Sequence, residues 1–132
     1  MIGEYSIRQE FRGARVLLTG ASGYVGSVVL EQLLRCTDVD TVYCLLRPRR
    51  DQGPQQRLDK VLHSTLFHKV RDTPAIKRAR AVAGDVCTAG LGLSQCDRRM
   101  LESEVDIILH CAADITLEAD IQVRGEQRMA SL

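Results

Sequence analysis

Val16-Leu17-Leu18-Thr19-Gly20-Ala21-Ser22-Gly23-Tyr24-Val25-Gly26 is the stretch that decides the fold of this 132-residue chain. An apolar entry leads into three glycines spaced three apart, and an amphipathic segment follows. Strand, glycine-rich turn and helix is the arrangement that holds the pyrophosphate of a dinucleotide. Gly20 reads as the tight turn, Gly23 as room for the backbone to approach phosphates, and Gly26 as close contact between helix and strand. The N-terminus of the helix would offer free N–H groups and the positive end of its dipole to the anion.

Outward from that turn, the first strand is expected over 15–19 and a helix over 24–36. Val25, Val29 and Leu33 recur at i, i+4 and i+8 with Val28 beside them, which predicts one buried stripe. Thr41-Val42-Tyr43-Cys44-Leu45-Leu46 is apolar throughout and fits a central parallel strand covered on both faces. It stops at Arg47-Pro48, where proline removes a ladder donor. A helical pattern runs over 54–70, carried by Leu58, Val61, Leu62, Thr65 and Leu66. Residues 80–86 read as a third strand ending in Gly84-Asp85. Ser94 and Asp97 form a capping pair for a helix through 103, and 105–113 read as a fourth buried strand that ends in small residues. Strands alternating with helices predict an α/β, Rossmann-type doubly wound parallel sheet, incomplete at about four strands.

Arg47 lies at the tip of the second strand, about 20 residues beyond the glycines. Dinucleotide folds that prefer NAD carry an Asp or Glu there for the ribose 2′-hydroxyl. A guanidinium instead pairs with a 2′-phosphate, so Arg47, with Arg49 and Arg50 close by, argues for NADPH; the bland reading is a set of arginines flanking a solvent loop. Asp85 is open to two readings, an acceptor for the adenine amino group or a turn residue after Gly84. His110 follows a core strand with no nearby nucleophile, which favours a structural role over that of a base. His63 and His68 lie five apart, the wrong interval for a shared metal on one helix face, so no metal site is expected.

Composition narrows the remaining classes. The apolar fraction of 45% and charged fraction of 27% are those of a globular domain. No apolar run approaches the ~20 residues of a membrane span, and no signal or transit sequence opens the chain. Five scattered cysteines without a Cys-x-x-Cys pair predict reduced intracellular thiols. Ten Lys or Arg against three Asp fall between Arg47 and Arg80, in a chain whose net charge is only +1. Such a segment attracts anions, but with aromatics at 4% there is little to stack on bases, and nucleic acid is not expected as a partner.

Four motifs stand in order: Thr19-Gly-Ala-Ser-Gly-Tyr-Val-Gly26, Leu45-Leu-Arg-Pro48, Gly84-Asp85 and His110-Cys-Ala-Ala-Asp114. Together they resemble the N-terminal, cofactor-binding part of an extended short-chain dehydrogenase/reductase, and most of all the fatty acyl-CoA reductases. Gln56-Arg57-Leu58 and Leu66-Phe67-His-Lys-Val70-Arg71 favour that family over thioester reductase domains and sugar-nucleotide epimerases. The resemblance implies NADPH-dependent reduction of a fatty acyl-CoA to an aldehyde or primary alcohol, this chain supplying the cofactor-binding half. It implies that Thr19, Gly20, Ser22, Gly23, Tyr24, Val25 and Gly26 surround the pyrophosphate and Arg47 the 2′-phosphate. Asp85 and Val86 would meet the adenine, and Ala112 and Ala113 would adjoin the nicotinamide ribose. Residues 1–13 become a lead-in, 14–122 a truncated NAD(P)-binding domain and 123–132 a divergent tail. An intracellular setting, in the cytoplasm or on the cytosolic face of the endoplasmic reticulum or a peroxisome, follows from the same resemblance.

The chain departs from that family in its proton donor. The reductases use Tyr-x-x-x-Lys, whereas Tyr5, Tyr24 and Tyr43 are followed four positions on by Gln9, Val28 and Arg47. No catalytic residue is therefore assigned here. The expectation is a fragment that binds cofactor without turning over acyl-CoA: an early stop, an alternative transcript or an incomplete gene model. The competing readings are a non-catalytic NADP(H)-binding or interaction module, self-associating through an exposed sheet edge, and a fragment of a thioester reductase domain.

Overall fold

The computed structural model describes residue 3 and residues 5–112. A short helix, α1 (Ile7–Glu10), precedes β1 (Arg15–Thr19), α2 (Tyr24–Cys36), β2 (Thr41–Leu46), α3 (Pro54–Leu62), β3 (Ala79–Ala83), α4 (Gln95–Glu104) and β4 (Ile107–His110). The four strands form one parallel sheet in the order β3-β2-β1-β4. Both faces are covered, as a fully apolar β2 requires. On one face Val16, Leu18, Val42, Cys44 and Leu46 pack with Leu30 and Leu34 of α2, Leu58 and Leu62 of α3, and Phe67. On the other, Leu17, Tyr43, Leu45 and Val82 meet Leu101 of α4. This is the incomplete, Rossmann-type doubly wound sheet that the alternation of elements predicts.

Several expectations need correcting. Of the stripe expected from Val25, Val29 and Leu33 with Val28 beside them, Leu33 is buried and Val29 packs partly buried against the core, whereas Val25 is 59% exposed and Val28 is exposed; the buried face of α2 is Gly26, Leu30, Glu31, Leu33 and Leu34. Gly26 sets that rotation, because it must lie against the backbone of Gly20 and so turns Val25 outward. The helix expected over 54–70 ends at Leu62. The Ser64 hydroxyl donates to the Val61 carbonyl (2.6 Å), and Ser64 itself is extended, which breaks the helix. A 3-10 turn (Thr65–Phe67) then drops Phe67 into the core. The third strand stops at Ala83, before Gly84. The fourth is only half-buried, with Ile108 64% exposed, because β4 ends the strand order. Among the described residues no helix is long and apolar enough to cross a membrane. No disulfide joins any of the five cysteines.

Candidate functional site

The C-terminal ends of β1, β2 and β3 converge on one side of the sheet, where an open α/β sheet places its ligand crevice. A cleft of about 470 Å3 opens there. Its floor is the glycine turn. Gly20 adopts φ +79°, and a Cβ on it would come within 2.6 Å of the Ala112 amide nitrogen, so only glycine closes β1 onto the end of β4. A Cβ on Gly26 would lie 1.8 Å from the Gly20 carbonyl oxygen. The two glycines together let α2 begin hard against the strand it follows. Gly23 is the N-cap of α2, and no side chain caps that helix. Tyr24, Val25 and Gly26 of its first turn line the cleft, so their N–H groups, which have no partner inside the helix, are left for a ligand.

One wall is basic. Arg47 and Arg49 follow β2, and Arg57 rises from the first turns of α3 to join them. The Arg57 guanidinium donates to the Arg47 carbonyl and, at 3.3 Å, to the Ser22 hydroxyl, tying α3 to both the glycine turn and the end of β2. Burial lowers the Arg57 pKa, and repulsion from Arg49 and Arg47 lowers it further. Among the described residues none of these three arginines has an ion-pair partner. Three arginines with no ion pair among the described residues leave this wall of the cleft positive, which attracts anions.

The opposite wall comes from Gly84, Asp85, Val86 and Cys87. One Asp85 carboxylate oxygen accepts the Cys87 N–H (2.9 Å) while its backbone N–H donates to Leu91 (2.7 Å). Asp85 thus shapes the turn and borders the cleft at once. At the far end, Thr19 is 3% exposed and does not reach the cleft surface. Its hydroxyl oxygen lies 2.6 Å from His110 Nδ1 and accepts the N–H groups of Cys111 (3.1 Å) and Ala112 (3.3 Å). His110 thus has the Thr19 hydroxyl as a hydrogen-bond partner, where the sequence showed no nucleophile beside it, and Thr19 acts behind the wall.

Of the residues expected at a cofactor site, Gly20, Ser22, Gly23, Tyr24, Val25, Gly26, Arg47, Asp85, Val86 and Ala112 border this one cleft. Thr19 supports it from beneath, and Ala113 lies outside the described residues. Arg57 is the residue that the glycine spacing did not flag. Its signal was present in Gln56-Arg57-Leu58, one of the motifs behind the family resemblance. Among the described residues no group of three or more His, Cys, Asp or Glu is placed to hold a metal ion.

A glycine cradle that a Cβ would fill, an uncapped helix N-terminus and an unpaired arginine cluster together fit a phosphorylated dinucleotide. Sheet and cleft define a dinucleotide-binding domain of the extended short-chain dehydrogenase/reductase type. A family model described as male sterility protein, an NAD-binding family, matches residues 18–127, and the chain belongs to that family. It is similar to fatty acyl-CoA reductase 1 of Homo sapiens, 38% identical over 120 residues, covering 89% of this chain and 23% of that protein. Fatty acyl-CoA reductase 2 of Bos taurus is 37% identical over 111 residues, covering 82% of this chain and 22% of its own length. The chain thus spans about a quarter of the length of the curated relatives it matches. Among solved structures, the terminal R domain from the myxalamid PKS-NRPS biosynthetic pathway superposes with a TM-score of 0.71 at 29% identity, covering 91% of this chain and 31% of that one. The reductase domain of a non-ribosomal peptide synthetase from Mycobacterium tuberculosis gives 0.69 at 31% identity, covering 89% and 29%.

Proposed function

We propose that residues 14–122 form the NADPH-binding part of an oxidoreductase that reduces fatty acyl-CoA, with the chemistry completed by residues outside this chain. The observation that carries the reading is the basic wall: three arginines, without ion-pair partners among the described residues, gathered at the end of β2, where a 2′-phosphate would lie. NADPH, when bound, supplies the hydride for reduction of the thioester carbonyl. The chain's own residues bind and orient it. The first turn of α2 meets the pyrophosphate, Arg47 and Arg57 the 2′-phosphate, Asp85 and Val86 the adenine, and Ala112 and Ala113 the nicotinamide ribose. Thr19 and His110 hold the wall on which that ribose rests.

No Tyr-x-x-x-Lys occurs in the sequence, so a proton donor of that kind is not among these residues, and this chain is expected to bind the cofactor without turning over acyl-CoA. Likeness to the acyl-CoA reductases supports the acyl thioester as the substrate class of the whole protein. The test is a fluorescence titration with NADPH and NADH on the wild type and Arg47→Glu. We expect NADPH to be preferred by the wild type and the variant to lose about thirtyfold of that preference, or about 2 kcal/mol. Unchanged relative affinity would remove Arg47 from the phosphate site, and no binding of either nucleotide would end the proposal.

A further inference from the structure

On the other side of Arg57 a second cavity, of about 330 Å3, lies between α2, α3 and the loop after β2. Arg49, Arg57 and Lys60 line it, together with the hydroxyls of Ser22, Ser27 and Ser64. Among the described residues no carboxylate lines it and none of these cations is in an ion pair. Ser27 and Ser64 donate their hydroxyl protons to the carbonyls of Tyr24 and Val61, so the recess offers three cations and the Ser22 hydroxyl, a chemistry that suits a phosphate dianion. Ser22, Arg49 and Arg57 border this cavity and the cleft alike. The cleft therefore ends in two basic recesses that share a wall, one opening towards Arg47 and the other towards Lys60.

A ribose seated at the tip of β2 carries two neighbouring oxygens, O2′ and O3′. A phosphate on one points into a different quarter from a phosphate on the other. Two adjoining recesses can therefore receive either isomer of a phosphorylated adenosine. We propose that the Lys60 recess is a seat for a ribose 3′-phosphate, so that this end of the cleft also binds 3′-phosphoadenosine nucleotides, the nucleotide portion of coenzyme A among them. The inference rests on the proposed function, since it needs the adenosine of NADPH to occupy the cleft. Its consequence is competition: a 3′-phosphoadenosine nucleotide and NADPH exclude one another, because both place adenosine on the same floor. No bond is made or broken.

The test displaces NADPH, followed by its fluorescence, from the full chain with adenosine 3′,5′-bisphosphate, adenosine 2′,5′-bisphosphate, AMP and inorganic phosphate. The 3′,5′ isomer is expected to compete about tenfold more tightly than AMP, one charge-assisted contact's worth. Lys60→Ala should abolish that advantage and leave the 2′,5′ isomer, NADPH affinity and the melting temperature unchanged, since Lys60 is exposed and borders only the second cavity. A 3′,5′ isomer no better than AMP, while the 2′,5′ isomer competes well, overturns the inference and leaves the proposed function standing. An undiminished advantage in Lys60→Ala overturns it too, as does inorganic phosphate displacing NADPH as well as the nucleotide does. Failure of the 2′,5′ isomer, or of NADPH itself, to bind overturns the proposed function and this inference together.

Discussion

Thr19 Oγ1 has one proton and two lone pairs, and all three are committed. The lone pairs accept from the amides of Cys111 and Ala112, which leaves the proton for His110 Nδ1 at 2.6 Å. Two strand ends are thereby fastened beneath the cleft, and Gly20, with no side chain, closes against the same segment. His110→Leu strips a buried hydroxyl of its acceptor and should cost about 1–3 kcal/mol of stability. His110→Asn can return a carbonyl oxygen to the place of Nδ1 and should recover most of that loss. Urea denaturation of the two variants decides: equal losses would show that only the ring's packing matters. Gly26→Ala is harsher, because its methyl group would strike main chain that cannot yield. A loss at the upper end of about 1–3 kcal/mol is expected in the same assay.

Between elements, a chain of polar groups fastens α4 and the start of β1 to β2. The Tyr43 hydroxyl donates to Glu104 at 2.5 Å, the Arg15 guanidinium reaches Asp40 at 3.1 Å, and the Arg15 N–H donates to Asp106 at 2.9 Å. The hydrogen bond from Arg15 holds the Asp40 carboxyl below the usual range, with a second from the Thr41 hydroxyl. A depressed carboxyl stabilises the fold fully above the pKa of the unfolded chain, near ~4. That stabilisation drains away as pH falls through the lower native value. Asp40→Asn should therefore lower the urea midpoint at pH 7, with the difference from wild type shrinking as pH is taken below ~4. A difference that is constant across that range would exclude linkage through Asp40.

Elements of this kind were readable in the sequence where one force dominated. Continuous apolarity gave β2, and the glycine spacing gave the turn and the start of α2. Periodicity failed where several forces met. Val25 and Val28 obeyed a helical spacing yet lost to Gly26, whose contact with Gly20 fixes which face turns inward, while Val29 and Leu33 kept the core side. Leu66 continued the pattern of α3, but the Ser64 hydroxyl and the buried Phe67 ended that helix early. The cleft was legible as far as it follows chain order from the glycine motif. Arg57 comes from the neighbouring helix, and its place beside Arg47 depends on how α3 lies across the sheet, which no local spacing encodes.

For the molecule as a whole, the cysteines report the position of the cleft without any engineered label. Cys87 and Cys111 line it from opposite walls, while Cys36 near the end of α2 and Cys96 near the start of α4 are exposed away from it. Cys44 lies inside the sheet, its thiol pushed up to about 12 by burial, which keeps it protonated and unreactive at neutral pH. Iodoacetamide followed by peptide mass analysis should therefore find Cys36, Cys87 and Cys96 modified in the native chain, Cys111 more slowly and Cys44 only after unfolding. At NADPH a hundredfold above its dissociation constant, the bound form excludes the free one by about a hundredfold. Alkylation of Cys87 and Cys111 should then slow by about tenfold or more, with Cys36 and Cys96 unaffected. General tightening of the fold would slow all exposed thiols together, whereas a ligand seated across the strand tips spares the two distant ones. Protection of Cys36 equal to that of Cys87 would therefore place the nucleotide somewhere other than this cleft.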